Sequence, residues 1–179
     1  MTIPHVEIVN TVPEDLSAIY ALFDSAISYQ KENNFPVWNG YDRALINREI
    51  ADGTQYKIVI DGQIAGIFSA GDAGPLETEL WKERTAEKSL YLNRIVTSPE
   101  FKGHRLFSRI LEWAEIFAEE HGYHYARLDT WADNPHLIRY YGSFGFANLG
   151  LVQTSDSADL PFQYRGLTLL IMEKEIWQR

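Results

Sequence analysis

Leu90-Tyr91-Leu92-Asn93-Arg94-Ile95-Val96, a turn from Thr97 to Gly103 and a long apolar-striped segment from roughly His104 to His121 form the stretch that decides the fold. Leu90 to Val96 alternates like a strand, and Asn93 and Arg94 bring polar groups out near its end. In the segment that follows, Leu106, Phe107, Ile110, Leu111, Ala114, Phe117 and Ala118 share one helical face, while Glu112, Glu115, Glu119 and Glu120 point elsewhere. Gly122 ends that helix. A strand that passes through a glycine-bearing turn into a helix aims free backbone N–H groups at one point, which attracts an anion such as phosphate.

Downstream, Tyr125 to Trp131 reads as the partner strand, with Tyr125, Arg127, Asp129 and Trp131 on one face unusually rich in functional groups. Asp133-Asn134-Pro135 makes a turn, Leu137 to Gly142 a short helix carrying Tyr140-Tyr141, and Phe144 to Leu151 the next strand. Ser155 to Asp159 is a polar loop, Leu167 to Glu173 is strand-like, and Trp177 is placed to anchor the tail.

The segment resembles the GNAT acetyltransferase superfamily, whose members move an acyl group from coenzyme A to an amine. The resemblance rests on Val96, Pro99, the basic-glycine turn Lys102-Gly103, then Asn134, Tyr141 and Gly145-Phe146, and covers about a third of the chain. The family's turn usually reads Arg or Gln, two residues, Gly, one residue, and Gly or Ala. Here those positions hold Lys102, Arg105 and Phe107. Fold and chemistry follow as implications of the resemblance. The chain is expected to be a single α/β domain over residues 1–179, with a mixed, mostly antiparallel central sheet, helices on both faces, and a splay between the two central strands. Acetyl-CoA is the implied cosubstrate, and no metal is called for.

The same resemblance assigns the site. Backbone groups of Lys102, Gly103, His104, Arg105, Leu106 and Phe107 would face the diphosphate, and Lys102, His104 and Arg105 can add side-chain donors. Main-chain groups of Ile95, Val96 and Thr97 would pair with the pantetheine arm like an added strand, and Asn134 would reach that arm through its amide. Tyr141 is the candidate general acid for the departing thiolate, since a phenol's pKa lies close enough to a thiol's for proton donation. The general base stays open among Asp129, Asp133, His104, the glutamates of Leu76 to Glu87, and a water relay held by Asn93, and direct loss of the ammonium proton to water would need no dedicated base.

The reaction implied is direct attack, in a ternary complex, of a primary amine of a small molecule or peptide on acetyl-CoA. The alternative is a non-catalytic coenzyme A-binding or protein-interaction module on the same scaffold, motivated by Arg105 and Phe107. A dinucleotide-dependent oxidoreductase is set aside, because no Gly-x-Gly-x-x-Gly turn follows a strand.

In the first half, His5 to Val9 reads as a strand, and Thr11 with Pro13 signals a helix start. Leu16, Ile19, Tyr20, Phe23 and Ile27 then form an apolar stripe. Pro36, Trp38 and Gly40 break that helix, a second one covers Asp42 to Ile50, and Phe35, Trp38 and Tyr41 are candidates to border the acceptor pocket. Tyr56 to Ile60 and Gln63 to Ser69 flank Asp61-Gly62, the signature of a two-residue hairpin. Ala70 to Lys88 reads as an excursion outside the sheet.

Composition narrows the classes further. The chain has 179 residues, enough for one sizeable core, and contains no cysteine, which removes disulfide frameworks and thiol nucleophiles. A formal charge of -9 argues against nucleic acid or a membrane surface as the main partner and favours a cationic acceptor. No apolar run approaches a membrane span, so a cytoplasmic location is the expectation. The superfamily often dimerises, which leaves a homodimer open.

Overall fold

The computed structural model describes residues 4–84 and 87–176; Trp177 lies outside them. Three strands build the first half of the sheet: β1 (Val6–Asn10), which is followed by two helices, and β2 (Gln55–Ile60) and β3 (Gln63–Gly71), which are joined by a tight turn, pair antiparallel in that order. The hairpin turn works because Asp61 and Gly62 take φ of 48° and 83°, and two consecutive positive values match the twist of the flanking strands. β3 pairs antiparallel with β4 (Ser89–Thr97). Helix α4 (Leu106–His121) then carries the chain back across the sheet, so β5 (Tyr125–Trp131) runs parallel to β4. β7 (Thr168–Glu175) pairs with β5 and β6 (Ala147–Gln153) takes the edge, giving the order β1-β2-β3-β4-β5-β7-β6.

Apolar stripes place the remaining helices. On one face, Leu106, Phe107, Ile110, Leu111 and Ala114 of α4 pack on Ile58, Phe68, Leu90, Leu92, Ala126 and Leu128. On the other, α1 (Leu16–Glu32) and α2 (Arg43–Asp52) bury Ile19, Phe23 and Ile46 against Ile67 and Val96. Beside them, Leu76, Leu80 and Trp81 of the excursion after β3 meet Tyr91, Leu169 and Ile171. That polar-looking excursion is therefore anchored in the core by α3 (Pro75–Leu80) and Trp81. Helix α5 (Pro135–Ser143) bridges β5 and β6.

The centre of the sheet departs from regular alternation. Ile67 stands opposite Val96 and Ser69 opposite Asn93, so Arg94 and Ile95 together oppose Phe68 alone. This is a β-bulge, with Arg94 at φ 48°. Because side chains alternate with period two, one extra residue resets the faces. Leu92 and Ile95 both join the α4 core while Val96 goes to the α1 side, and Asn93 and Arg94 reach glutamates of α3 and α2, respectively. Gly66 lets β3 approach this bend, since a Cβ there would meet the Val96 carbonyl at 3.0 Å.

Arg94 and Glu49 form an ion pair whose side chains are each only 9% exposed, and Ser69 Oγ donates to the second Glu49 oxygen at 2.7 Å. Removing one member leaves the other charged and buried, which typically costs about 3–5 kcal/mol. Glu49→Ala should lower the unfolding free energy in urea by roughly that amount; a loss below about 1 kcal/mol would mark the pair as no better than a solvent-exposed one.

Candidate active site where β4 and β5 part

Parallel pairing of β4 with β5 covers only Ser89 with Tyr125, Leu90 with Ala126 and Tyr91 with Arg127. Beyond that point both strands continue, β5 still paired with β7 as far as Trp131 and Leu169, but they diverge from each other. The bulge bends β4 away, and backbone groups on its β5 side, from Leu92 on, lack a strand partner among the described residues. Such an edge is a template for an extended ligand. Between the strands lies a cleft walled by Leu92 to Val96 and Leu128 to Trp131. Leu137 and Tyr141 of α5 close it on the α4 side, and Trp38, Gln30 and Tyr164 on the other.

The N-terminus of α4 supplies the second feature. Lys102 N and His104 N donate to Pro99 and Phe101 carbonyls at 3.2 and 3.1 Å, so the turn occupies them. Among the described residues, the amides of Gly103, Arg105, Leu106 and Phe107 have no acceptor, and no side chain caps the helix. Arg105 sits at φ 54°, ψ 43° in the left-handed region and Gly103 at φ 90°, a backbone path that turns successive N–H groups toward one side. Lys102, Gly103, His104 and Arg105 are exposed. Phe107 is 4% exposed, outside the cleft lining, and packs its ring 5.0 Å from Tyr141 and 4.9 Å from Phe144. The large residue in the turn thus fills the core beneath α5 and leaves the groove open.

The other sequence-derived candidates fall as follows. Ile95 and Val96 line the cleft, whereas Thr97 is exposed just beyond it and pairs with Gly66 of β3. Asn134 is buried and accepts from Leu137 N at 3.2 Å, so its Oδ1 caps α5 and its Nδ2 remains available. Tyr141 lines the cleft, and burial, with help from Tyr140 and Asp129, pushes its phenol well above the ordinary value. It therefore stays protonated at neutral pH. Phe35 and Tyr41 do not line the cleft; Tyr41 stacks on Phe23 and donates to Asp24.

On the face opposite α4 stands a charged group that composition alone does not reveal. Asn93 Nδ2 donates to Glu77 Oε1 at 2.7 Å, and Gly74 N donates to Glu77 Oε2 at 2.8 Å. Arg94 holds Glu49, and its Nε is buried without a hydrogen-bond partner, as is Gln30 Oε1. Arg127 proves structural, bound to Glu173 at 2.7 Å and stacked over Trp81. Asp129 lines the cleft, and its carboxyl is pushed up to about 7, chiefly by burial and then by Glu77, with Arg94 pulling the other way. Sequence pattern does not mark Glu49 or Tyr164, and it shows Arg94 only as a polar interruption of a strand. Two adjacent polar residues breaking strand alternation are the signal of a bulge that could have found Arg94; Glu49, on an ordinary-looking helix, carried none.

An open mixed sheet parted at its centre beside a free helix N-terminus is the architecture of the GNAT acyltransferase fold. The sequence profile of the acetyltransferase (GNAT) family matches residues 19–146, and the chain belongs to that family. It is an acyltransferase enzyme with acetyl-CoA as its cosubstrate. It is similar to YesJ, an uncharacterized N-acetyltransferase of Bacillus subtilis, at 29% identity over 150 residues, spanning 78% of this chain and 80% of the relative. A GNAT-family acetyltransferase of Listeria monocytogenes shares the fold with a TM-score of 0.75 at 23% identity, covering 95% of this chain and 94% of that one. YncA of Salmonella typhimurium, crystallised with acetyl-CoA, matches with a TM-score of 0.63 at 18% identity over 97% and 95% of the two chains. The ribosomal-protein-S18-alanine N-acetyltransferase of Escherichia coli matches with a TM-score of 0.63 at 16% identity over 98% and 96%. Among the described residues no helix is long and apolar enough to cross a membrane, and no three His, Asp or Glu side chains gather as metal ligands.

Asp129 also links folding to pH. Folded, its carboxyl holds a proton up to about pH 7, whereas the unfolded value lies near 4, as for any aspartate (~3.9). The raised value means the contribution is fully present below the unfolded pKa and is lost as pH rises through the folded one. Asp129→Asn cannot ionise, so its melting temperature relative to wild type should climb by a few degrees between about pH 5 and pH 8. Scanning calorimetry at both pH values checks this; a constant difference would place Asp129 in water.

Proposed function

We propose that the protein acetylates a primary amine, on a small molecule or a peptide, by direct attack on acetyl-CoA in a ternary complex. The observation that supports this reading is the placement of groups on the two faces of the parted strands: Tyr141 lies on the α4 side, and Asp129 and Asn93, the latter bonded to Glu77, lie on the other. A thioester and an amine entering from opposite faces meet without exchanging places. A face bearing Glu49, Glu77 and Asp129 against Arg94 also suits an ammonium.

In this reading the free amides of Gly103, Arg105, Leu106 and Phe107, with the side chains of Lys102, His104 and Arg105, hold the diphosphate. The edge of Ile95, Val96 and Thr97 takes the pantetheine arm as an added strand, and Asn134 offers Nδ2 to it. These contacts fix the acetyl carbonyl between the strands, which supplies orientation before any chemistry. Tyr141 donates its proton to the departing thiolate. The likeness in fold to an enzyme named for a ribosomal-protein alanine keeps a peptide amine among the acceptors.

Two measurements test this. Acetyl-CoA at about 100 times its dissociation constant should add roughly 2.7 kcal/mol to stability, a thermal shift of about 5 to 10 °C for a chain of this size. Coenzyme thiol release, followed with spermidine, kanamycin, L-lysine and an alanine-terminated peptide in turn, should identify at least one acceptor. With it, Tyr141→Phe should reduce kcat by about ten- to a thousand-fold while the acetyl-CoA thermal shift is retained. An unchanged kcat would remove Tyr141 from the mechanism.

A further inference from the structure

We propose that Asp129 is the group that takes the proton from the incoming ammonium. This inference rests on the acetyl-transfer reading and adds to it the group that generates the nucleophile. Asp129 lies on β5 two residues past Arg127, the last residue paired with β4, so it stands where the strands have parted. By strand alternation it shares the face of Arg127, opposite the α4 side. Asp129 lines the same cleft as Tyr141, and its charge helps to raise the Tyr141 phenol. One end of the cleft thus holds a proton donor and the other a proton acceptor.

Its neighbours are already committed. Both Glu49 oxygens are taken by Ser69 and Arg94, both Glu77 oxygens by Asn93 and Gly74, and Glu173 by Arg127. His104 is exposed, bonded to the Phe101 carbonyl and outside the cleft, and Asp133 is exposed. Among the described residues, no side chain hydrogen-bonds to the Asp129 carboxylate, which leaves it free for an amine. The charged and titratable groups facing it are Glu77 from α3, Arg94 from β4, Tyr141 from α5 and Tyr164 from the loop before β7, with Glu49 behind Arg94. Burial and Glu77 hold the carboxyl up to about 7 against Arg94, where a base is half deprotonated near neutral pH and still basic enough to take a proton.

The protons balance. The ammonium gives one proton to the Asp129 carboxylate, and the freed lone pair forms the C–N bond at the thioester carbonyl. The C–S bond breaks, and sulfur leaves with the Tyr141 proton. The nitrogen then sheds a second proton, which restores the phenol, and keeps the third as the amide N–H. Asp129 passes its proton to solvent. No oxidant, reductant or metal is required.

The test compares wild type, Asp129→Asn and Glu77→Gln with two nucleophiles: the best amine from the screen above, and hydroxylamine, which is largely unprotonated at neutral pH. Wild-type kcat/KM for the amine should rise with pH through an inflection near 7. Glu77→Gln removes a neighbour that raises the carboxyl, so it should move that inflection to lower pH. Asp129→Asn should abolish the inflection and cut kcat by about a hundred-fold or more with the amine, lose much less with hydroxylamine, and keep the acetyl-CoA thermal shift. Equal losses with both nucleophiles, or an inflection that survives Asp129→Asn, would overturn the proposal. If wild type binds acetyl-CoA yet releases no thiol with either nucleophile, the acetyl-transfer reading fails first and takes this one with it.

Discussion

The structure turns on one buried ion pair. Arg94 occupies the extra position of the β4 bulge in a left-handed conformation that an L-residue adopts at a cost, and Glu49 of α2, fixed in turn by Ser69, holds its guanidinium in place. A straight β4 would continue pairing with β5 past Tyr91 and Arg127, as parallel neighbours in a sheet normally do, and the cleft would close. The pair thus fastens the bulged segment of β4 to α2, a helix remote in sequence from it.

The core beneath the site solves a second problem with aromatic volume. Phe107 stands where the family ordinarily keeps a small residue, and a side chain of that size next to a coenzyme groove could have blocked it. It turns inward and fills the space among Tyr140, Tyr141, Phe144 and Phe146. The edge-on contact with Tyr141 gives that phenol a rigid support, and aromatic pairs in such arrangements contribute about 0.5–1.5 kcal/mol beyond area burial. Backbone amides do not depend on side-chain size, so the open N–H groups of α4 persist despite the substitution.

The same desolvation acts on two titratable groups with opposite use. Burial raises the Tyr141 phenol, which keeps its proton available, and raises the Asp129 carboxyl to about 7, where it can accept one. In the proposed reaction these two groups of different chemistry in one cleft take complementary tasks. Both oxygens of Glu49 and both of Glu77 are hydrogen-bonded within the fold, which sets them apart from Asp129.

Local pattern alone determined much of this protein. The Asp61-Gly62 hairpin, the apolar stripe of α4 and the Asn134, Tyr141, Gly145-Phe146 spacing rest on short-range patterns, so they are readable from order and type. Tertiary structure decided the rest. Arg94 and Glu49 lie 45 positions apart, and neither residue's neighbours reveal that they meet in a bulge. Asp129 and Arg127 look alike on one strand face, yet Arg127 is saturated by Glu173 and Tyr91 while Asp129 opens on the cleft. Which polar group is structural and which is chemically free depends on the partners that packing brings to it, and those come from distant parts of the chain.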